Sequence, residues 1–187
     1  MTAGWTRLGA VALLAAATAP AVAWDLTGLR TITAVTRDQQ RINLGTVQFD
    51  AQPDGRARFT VKMDHSRFTD HFLSMKEFKC LQGPDELMCH VPYPYPQPGT
   101  VGNTDLAWLE HSLLFMFKLP SEFGAKLWNG LYFQFERTPQ GLRGRAQAVD
   151  LNRISAPPDR PGVPPYRPAL RDDVRSGSRW IETLLIE

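Results

Sequence analysis

Residues 79–90 read Lys-Cys-Leu-Gln-Gly-Pro-Asp-Glu-Leu-Met-Cys-His. Gly83-Pro84-Asp85-Glu86 is turn chemistry, its flanks are strand-like, and Cys80 and Cys89 stand symmetrically about Pro84-Asp85. A hairpin folded there sets the two cysteines opposite each other, about 4.5 to 5.5 Å apart at Cα, within reach of a disulfide. Pro-Asp is not the preferred type I′ pair, so a four-residue turn with a slightly shifted register is the alternative geometry. The pair lacks the C-x-x-C spacing that depresses a thiol pKa, which makes it a structural staple rather than a redox dithiol.

Outward from this hairpin the chain reads mostly β. Residues Trp24 to Thr36 and Arg41 to Asp50 are rich in Thr, Ile and Val and are joined by a hairpin turn at Arg37-Asp38-Gln39-Gln40. After the turn Pro53-Asp54-Gly55, the residues Ala57, Phe59, Val61 and Met63 alternate with Arg58, Thr60 and Lys62, the period of a strand with one wet face. Phe72 to Cys80 and Leu87 to Tyr93 are the expected arms of the cysteine hairpin. Beyond the Pro-rich break at 92–98 the period changes. Leu106, Leu109, Leu113, Met116 and Phe117 fall within an arc of about 100° on a helical wheel, which predicts a helix near 104–117, capped by Asn103 or Thr104 and ended by Pro120. Leu131, Phe133 and Phe135 then open a second hairpin, turning at Pro139-Gln140-Gly141 into a strand from Leu142 to Ile154.

The last third differs in character. Six prolines crowd into 156–168, too many to donate to a sheet ladder, so 156–178 is read as an extended strap. Arg179 to Glu187 reads as one more strand, stable only if it returns to the same sheet. The expected fold is mainly β: an antiparallel meander closed as a barrel or folded as a sandwich, with one central helix inserted and a Pro-rich C-terminal strap. Its organisation is a cleaved signal peptide over 1–23, a β-rich domain over 24–155, the strap over 156–178 and a returning strand over 179–187. The opening Trp24-Asp25-Leu26-Thr27-Gly28 resembles the W-x-L-x-G start of some lipocalin-like bacterial domains. That resemblance covers five residues and assigns no functional residue.

The N-terminus supplies an address. Arg7 precedes an apolar run from Leu8 to Ala17, and Ala21-Val22-Ala23 is the small-x-small pattern of signal-peptidase cleavage before Trp24. The apolar stretch is shorter than the roughly 20 residues a bilayer demands, and no cysteine near the cleavage site offers a lipid anchor. The expectation is a periplasmic or secreted protein with no stable membrane anchor once the signal is removed. An oxidising compartment agrees with a Cys80–Cys89 disulfide. The 187 residues are 43% hydrophobic and 21% charged, ordinary for one globular domain, and a net charge of +2 gives no concentrated basic field for nucleic acid.

Catalytic motifs are absent: no G-x-S-x-G elbow, P-loop, dinucleotide fingerprint or HExxH, and Glu110-His111 lacks a second histidine four residues on. No cofactor is expected. The repeated doublets Asp64-His65 and Asp70-His71, with His90 beside the disulfide, would make a zinc set only if 66–69 turned the chain. The blander account is loop histidines held by neighbouring aspartates. A metal-assisted enzyme using His65, His71 and His90 is therefore the alternative function. The aromatics are the other signal. Tyr93-Pro94-Tyr95-Pro96 is stiff, polyproline-like chain carrying two amphipathic rings, followed by Trp108 and further on by Trp128, Tyr132 and Tyr166. Trp108 falls outside the apolar arc of the predicted helix, which frees it for another surface. Tyr93, Tyr95 and Trp108 are thus the candidate ligand-binding residues of a noncatalytic exported protein, its partner an apolar small molecule or an envelope protein. The basic stripes at Arg56, Arg58 and Lys62 and at Arg143 and Arg145 read as solvated faces.

Overall fold

A computed structural model describes Met1 and residues 24–73, 76–154 and 158–187. The expected signal peptide lies outside the described residues, as does the start of the Pro-rich segment. Two long strands, β1 (Gly28–Thr36) and β2 (Arg41–Ala51), pair with each other, and β3 (Ala57–Met63) pairs with β2 across the turn at 53–55. On β1, Ile32, Ala34 and Thr36 are buried while the residues between them stay wetter, the period-two pattern of one inward face. The β1–β2 register slips between Ile32 and Thr33, where Leu44 becomes an extra residue on β2. Gly45 follows with φ of 140°, and a Cβ there would stand 2.2 Å from the Lys62 carbonyl oxygen, so only glycine fits this bulge.

The cysteine hairpin has a third arm. β4 (Thr69–Leu73) pairs with β5 (Lys76–Gln82), and β5 pairs with β6 (Leu87–His90) with Cys80 opposite Cys89. Those two residues form a disulfide. The single strand expected over 72–80 is therefore two antiparallel strands, with Leu73 opposite Lys76. After β7 (Thr100–Val101) the helix α1 spans only Ala107–Ser112, not 104–117, and its N-terminal residue is Leu106, with no side-chain cap. The chain leaves the helix because Leu113-Leu114-Phe115-Met116-Phe117 is apolar on every side and enters the sheet as β8 (Phe115–Lys118), hydrogen-bonded to β6. β9 (Gly130–Thr138) and β10 (Gly141–Val149) form the next hairpin. β10 stops five residues before the expected Ile154, because the Asp150 carboxylate accepts from the Asn152 amide and turns Leu151–Arg153 into a short 3-10 helix. The two-residue β11 (Asp172–Asp173) and then β12 (Ile181–Ile186) complete the sheet.

The result is one antiparallel sheet of twelve strands in the order β4-β5-β6-β8-β9-β10-β12-β1-β2-β3-β7, with β11 also paired to β10; the path does not close on itself. β12 joins the two halves, pairing with β1 on one side and β10 on the other. Buried residues form two clusters on opposite faces of β6, β8 and β9. Met88, Phe115, Leu131 and Phe133 point into the main core with Ile32, Val47 and Phe49, whereas Leu87, Cys89, Met116 and Tyr132 point into a second cluster. Tyr166, from the Pro-rich segment, is buried in that second cluster and donates its hydroxyl to the Asp150 carbonyl.

Candidate functional site: an apolar pocket behind the sheet

Between β6 and β7 the chain reads Val91-Pro92-Tyr93-Pro94-Tyr95-Pro96-Gln97-Pro98. Val91, Tyr93, Tyr95 and Gln97 are half-buried and every proline is exposed, the alternation of an extended chain. Each proline fixes φ and removes a donor, so this stretch cannot join the ladder as a strand. It is held instead to the C-terminal end of α1: the Val91 amide donates to the Leu114 carbonyl, and Gln97 Nε2 donates to Ser112 Oγ. That places the Tyr93 ring edge-on to His111 with centroids 4.5 Å apart, 5.4 Å from Tyr95 and 6.1 Å from Trp108.

Tyr93, Tyr95 and His111 line a pocket of about 300 Å³. Its walls are apolar, supplied by Phe78 of β5, Val91, Leu114, Met116 of β8, Leu151 and Ile154, with exposed Lys76 at the rim. It adjoins the second cluster rather than the main core. Leu127, which also lines it, belongs to the β8–β9 loop, where Leu119, Phe123 and Trp128 are exposed as well.

α1 turns four consecutive buried residues, Trp108 to His111, into the protein. The Glu110 carboxylate accepts from the Tyr132 hydroxyl at 2.6 Å and the Phe135 amide at 2.8 Å, with Arg171 Nη1 at 3.6 Å. Phe135 lies beyond the β8–β9 pairing, so Glu110 satisfies an amide on the unpaired edge of β9. Arg171 is itself fixed: it donates to the Tyr166 carbonyl and lies over the Tyr132 ring, 4.0 Å from its centroid. Burial pushes the Glu110 carboxyl up from its ordinary value, while its two hydrogen-bond donors and the charge of Arg171 pull the other way. Burial likewise raises the Tyr132 and Tyr166 hydroxyls, each of which remains a neutral donor.

His111 has no such partners. Its side chain is 1% exposed, both ring nitrogens are buried, and neither has a hydrogen-bond partner; the Tyr93 hydroxyl is in the same condition. Burial, with a smaller push from the Arg171 guanidinium, lowers the His111 pKa to about 4, so the ring is neutral at pH 7. A nucleophile–base–orienter chain requires hydrogen bonds on both sides of the imidazole, and His111 has neither.

The structure joins two of the three ligand-binding candidates at the pocket and corrects the third. Tyr93 and Tyr95 line it. Trp108 is 3% exposed and packed in the main core, in ring contact with Tyr93 but not free for another surface, because a six-residue helix wedged against β7 and β9 has no solvent side. The candidate histidines are partly gathered. His65 and His90 rings lie 6.4 Å apart, but His90 Nε2 is hydrogen-bonded to the Ser112 carbonyl and His71 to the Thr69 hydroxyl. Among the described residues no three His, Cys, Asp or Glu side chains stand together as a metal set. Of the other aromatics, Tyr132 and Tyr166 are buried and Trp128 is exposed. His111 and the buried Glu110 escaped the sequence reading, which met Glu110-His111 only as a failed metal motif; an acid and an imidazole inside the apolar run Leu106 to Phe117 was the available signal.

No helix among the described residues is long and apolar enough to cross a membrane. Comparison with known proteins adds no relative: no family model matches the chain, and neither a curated protein nor a solved structure matches it.

Proposed function

We propose that this protein is an exported, noncatalytic carrier or sensor of an apolar small molecule, held in the pocket of Tyr93 and Tyr95. The observation that carries the reading is the pocket itself: about 300 Å³, walled by aliphatic and aromatic side chains with a few polar groups converging on it. Small-ligand sites have that size and lining, roughly 300–1,000 Å³ with sparse polar groups. Prolines on either side of both tyrosines leave the rings little freedom to lose on binding, which favours affinity. The signal-like N-terminus and the disulfide support a periplasmic or secreted location. A lipocalin-like barrel, opened along one side and strapped by 156–178, is the finer fold that goes with this reading; the burial of Tyr166 and Arg171 supports the strap.

The test is nondenaturing mass spectrometry of protein taken from its own compartment, alongside a Tyr93→Ala/Tyr95→Ala variant. A copurifying small mass on the wild type that the folded variant lacks is the expected result. Retention of that mass by the variant refutes the site. An envelope protein partner is the second reading, favoured by the exposed Phe123 and Trp128. Phe123→Ser/Trp128→Ser would abolish a complex of that kind and leave small-molecule binding in place.

A further inference from the structure

A second hollow lies over β10 and β12, and we infer that it binds a phosphate monoester, the phosphate held by Arg143, Arg145 and Arg175. It has a volume of about 240 Å³ and shares no lining residue with the pocket of Tyr93 and Tyr95. Alternation along β10 leaves Arg143 and Arg145 exposed on one face, about 7 Å apart at Cα, while Leu142 and Gly144 are buried. In sequence this pair is only a solvated stripe. The returning chain adds to it. β11 pairs with β10, Gln147 Nε2 donates to Asp173 Oδ1, and Val174 packs against the main core. Residues 175–178 then turn, the Ser178 amide and hydroxyl both donating to the Arg175 carbonyl. The Glu182 carboxylate of β12 accepts from the Ser176 hydroxyl and the Gly177 amide, which ties the turn to the sheet. These bonds bring Arg175 and Arg179 to the hollow that Arg143 and Arg145 already line.

The charge of the ligand follows from which of these groups are committed. Arg179 donates to Glu86 at 3.2 Å and lies 3.8 Å from the centroid of the Phe117 ring. Among the described residues, which include every Asp and Glu of the chain, no carboxylate forms an ion pair with Arg143, Arg145 or Arg175. Glu136 stands opposite Arg143 on β9 but lies outside the hollow, whose one carboxylate is Glu182. Setting Glu86 against Arg179, and Glu182 against one of the other three, leaves two positive charges without a partner. Gathered guanidinium groups repel one another, and an anion among them relieves that repulsion. A phosphate monoester carries a charge of about −1.5 to −2 at pH 7, and its oxygens match the guanidinium fork. A carboxylate or a sulfate ester brings only a single charge. Past Arg143 the surface continues as a polar hollow lined by Gln39, Thr138, Gln140 and Thr183, a seat for a hydroxylated body attached to the phosphate.

Calorimetric titration of the whole protein at pH 7.5 and low salt, with glucose 6-phosphate, glucose 6-sulfate and glucose, tests charge and body together. Phosphatidylcholine vesicles with and without phosphatidic acid separate a lipid headgroup from a soluble ester. The expected result is glucose 6-phosphate binding at least about threefold more tightly than the sulfate, and glucose not binding. In Arg143→Gln/Arg145→Gln the phosphate affinity falls at least about tenfold, whereas Arg58→Gln/Lys62→Gln, which removes equal charge from β3, changes it less than about twofold. Arg175→Gln, on the turn, should lose at least about threefold, and it carries the test if the β10 variant does not fold. Binding of phosphatidic acid vesicles alone, lost in the same variants, keeps the site and assigns its phosphate to a lipid. Equal losses in the β10 and β3 variants overturn the site in favour of diffuse attraction to a basic surface. Equal affinities for phosphate and sulfate overturn the assignment of a phosphate monoester, and so does a failure to bind both glucose 6-phosphate and the phosphatidic acid vesicles.

Discussion

Replacing His111 with phenylalanine should flatten part of the pH dependence of stability. Folded His111 titrates near 4, whereas the unfolded chain titrates at the ordinary 6.5, because burial penalises the imidazolium. The folded pKa is the lower of the two, so as pH falls the unfolded state takes up the proton first. Stability present above about 6.5 is then lost progressively until pH reaches about 4. Between pH 7.5 and 4.5 that shift costs roughly 2.5 kcal/mol, a large part of a marginal total of about 5–15 kcal/mol. His90, also lowered by burial, acts in the same direction, whereas Glu86 and Glu110, raised by burial, act in the opposite one. All three are present in both proteins and cancel in the difference. Urea unfolding of wild type and His111→Phe at pH 7.5, 6.5, 5.5 and 4.5 reads that difference directly. The variant should equal or exceed wild-type stability at pH 7.5, since it removes an unpaired buried polar ring worth about 1–3 kcal/mol in desolvation. It should gain a further ~2.5 kcal/mol on wild type by pH 4.5. Profiles that stay parallel within about 0.5 kcal/mol would refute both the burial of His111 and its lack of partners.

Three further outcomes follow from the packing. Glu86→Leu should cost roughly 2–3 kcal/mol in urea unfolding, because Glu86 accepts from the Trp180 amide at 2.7 Å and pairs with Arg179 Nη1 at 3.2 Å, and both donors would be left without it. Gly45→Ala should cost at least about 2 kcal/mol, since its Cβ would press on the Lys62 carbonyl at the bulge and its φ of 140° disfavours any side chain; thermal unfolding checks it. Cys80→Ser/Cys89→Ser should lose about 2.5 kcal/mol, the chain-entropy worth of so short a loop, and the native protein should resist thiol alkylation until reduced.

How legible the molecule was depended on whether a segment carried punctuation. The cysteines announced their own register because Pro84-Asp85 sits midway between them, and Pro139-Gln140-Gly141 marked the β9–β10 turn in the same way. Between β4 and β5 the sequence has no Gly, Pro, Asn or Asp to mark a turn, so the two strands read as one. Residues 113–117 satisfied the helical wheel and a buried strand equally well, and the ladder offered by β6 decided the matter. At the site, Tyr93 and Tyr95 were visible because alternating prolines force alternating faces. Trp108 misled because a helical wheel assumes one solvent face, and α1 has none. His111 was beyond reach of periodicity, since its significance lies in partners it lacks.

Where the pocket sits also separates fold from function. A carrier built like a cup holds its ligand inside the curve of the sheet, yet here the main core is filled by Phe49, Trp108, Phe115, Phe133 and Trp180. The apolar pocket lies beside the second cluster, lined by side chains of β5, β8 and the proline-locked segment. Reading a binding site from the architecture alone would look on the wrong face of the sheet. The pocket is marked locally instead, by the aromatic and aliphatic side chains that the proline-locked segment, α1 and β8 bring together around it. Unpaired buried polar atoms such as the His111 nitrogens cost the fold stability.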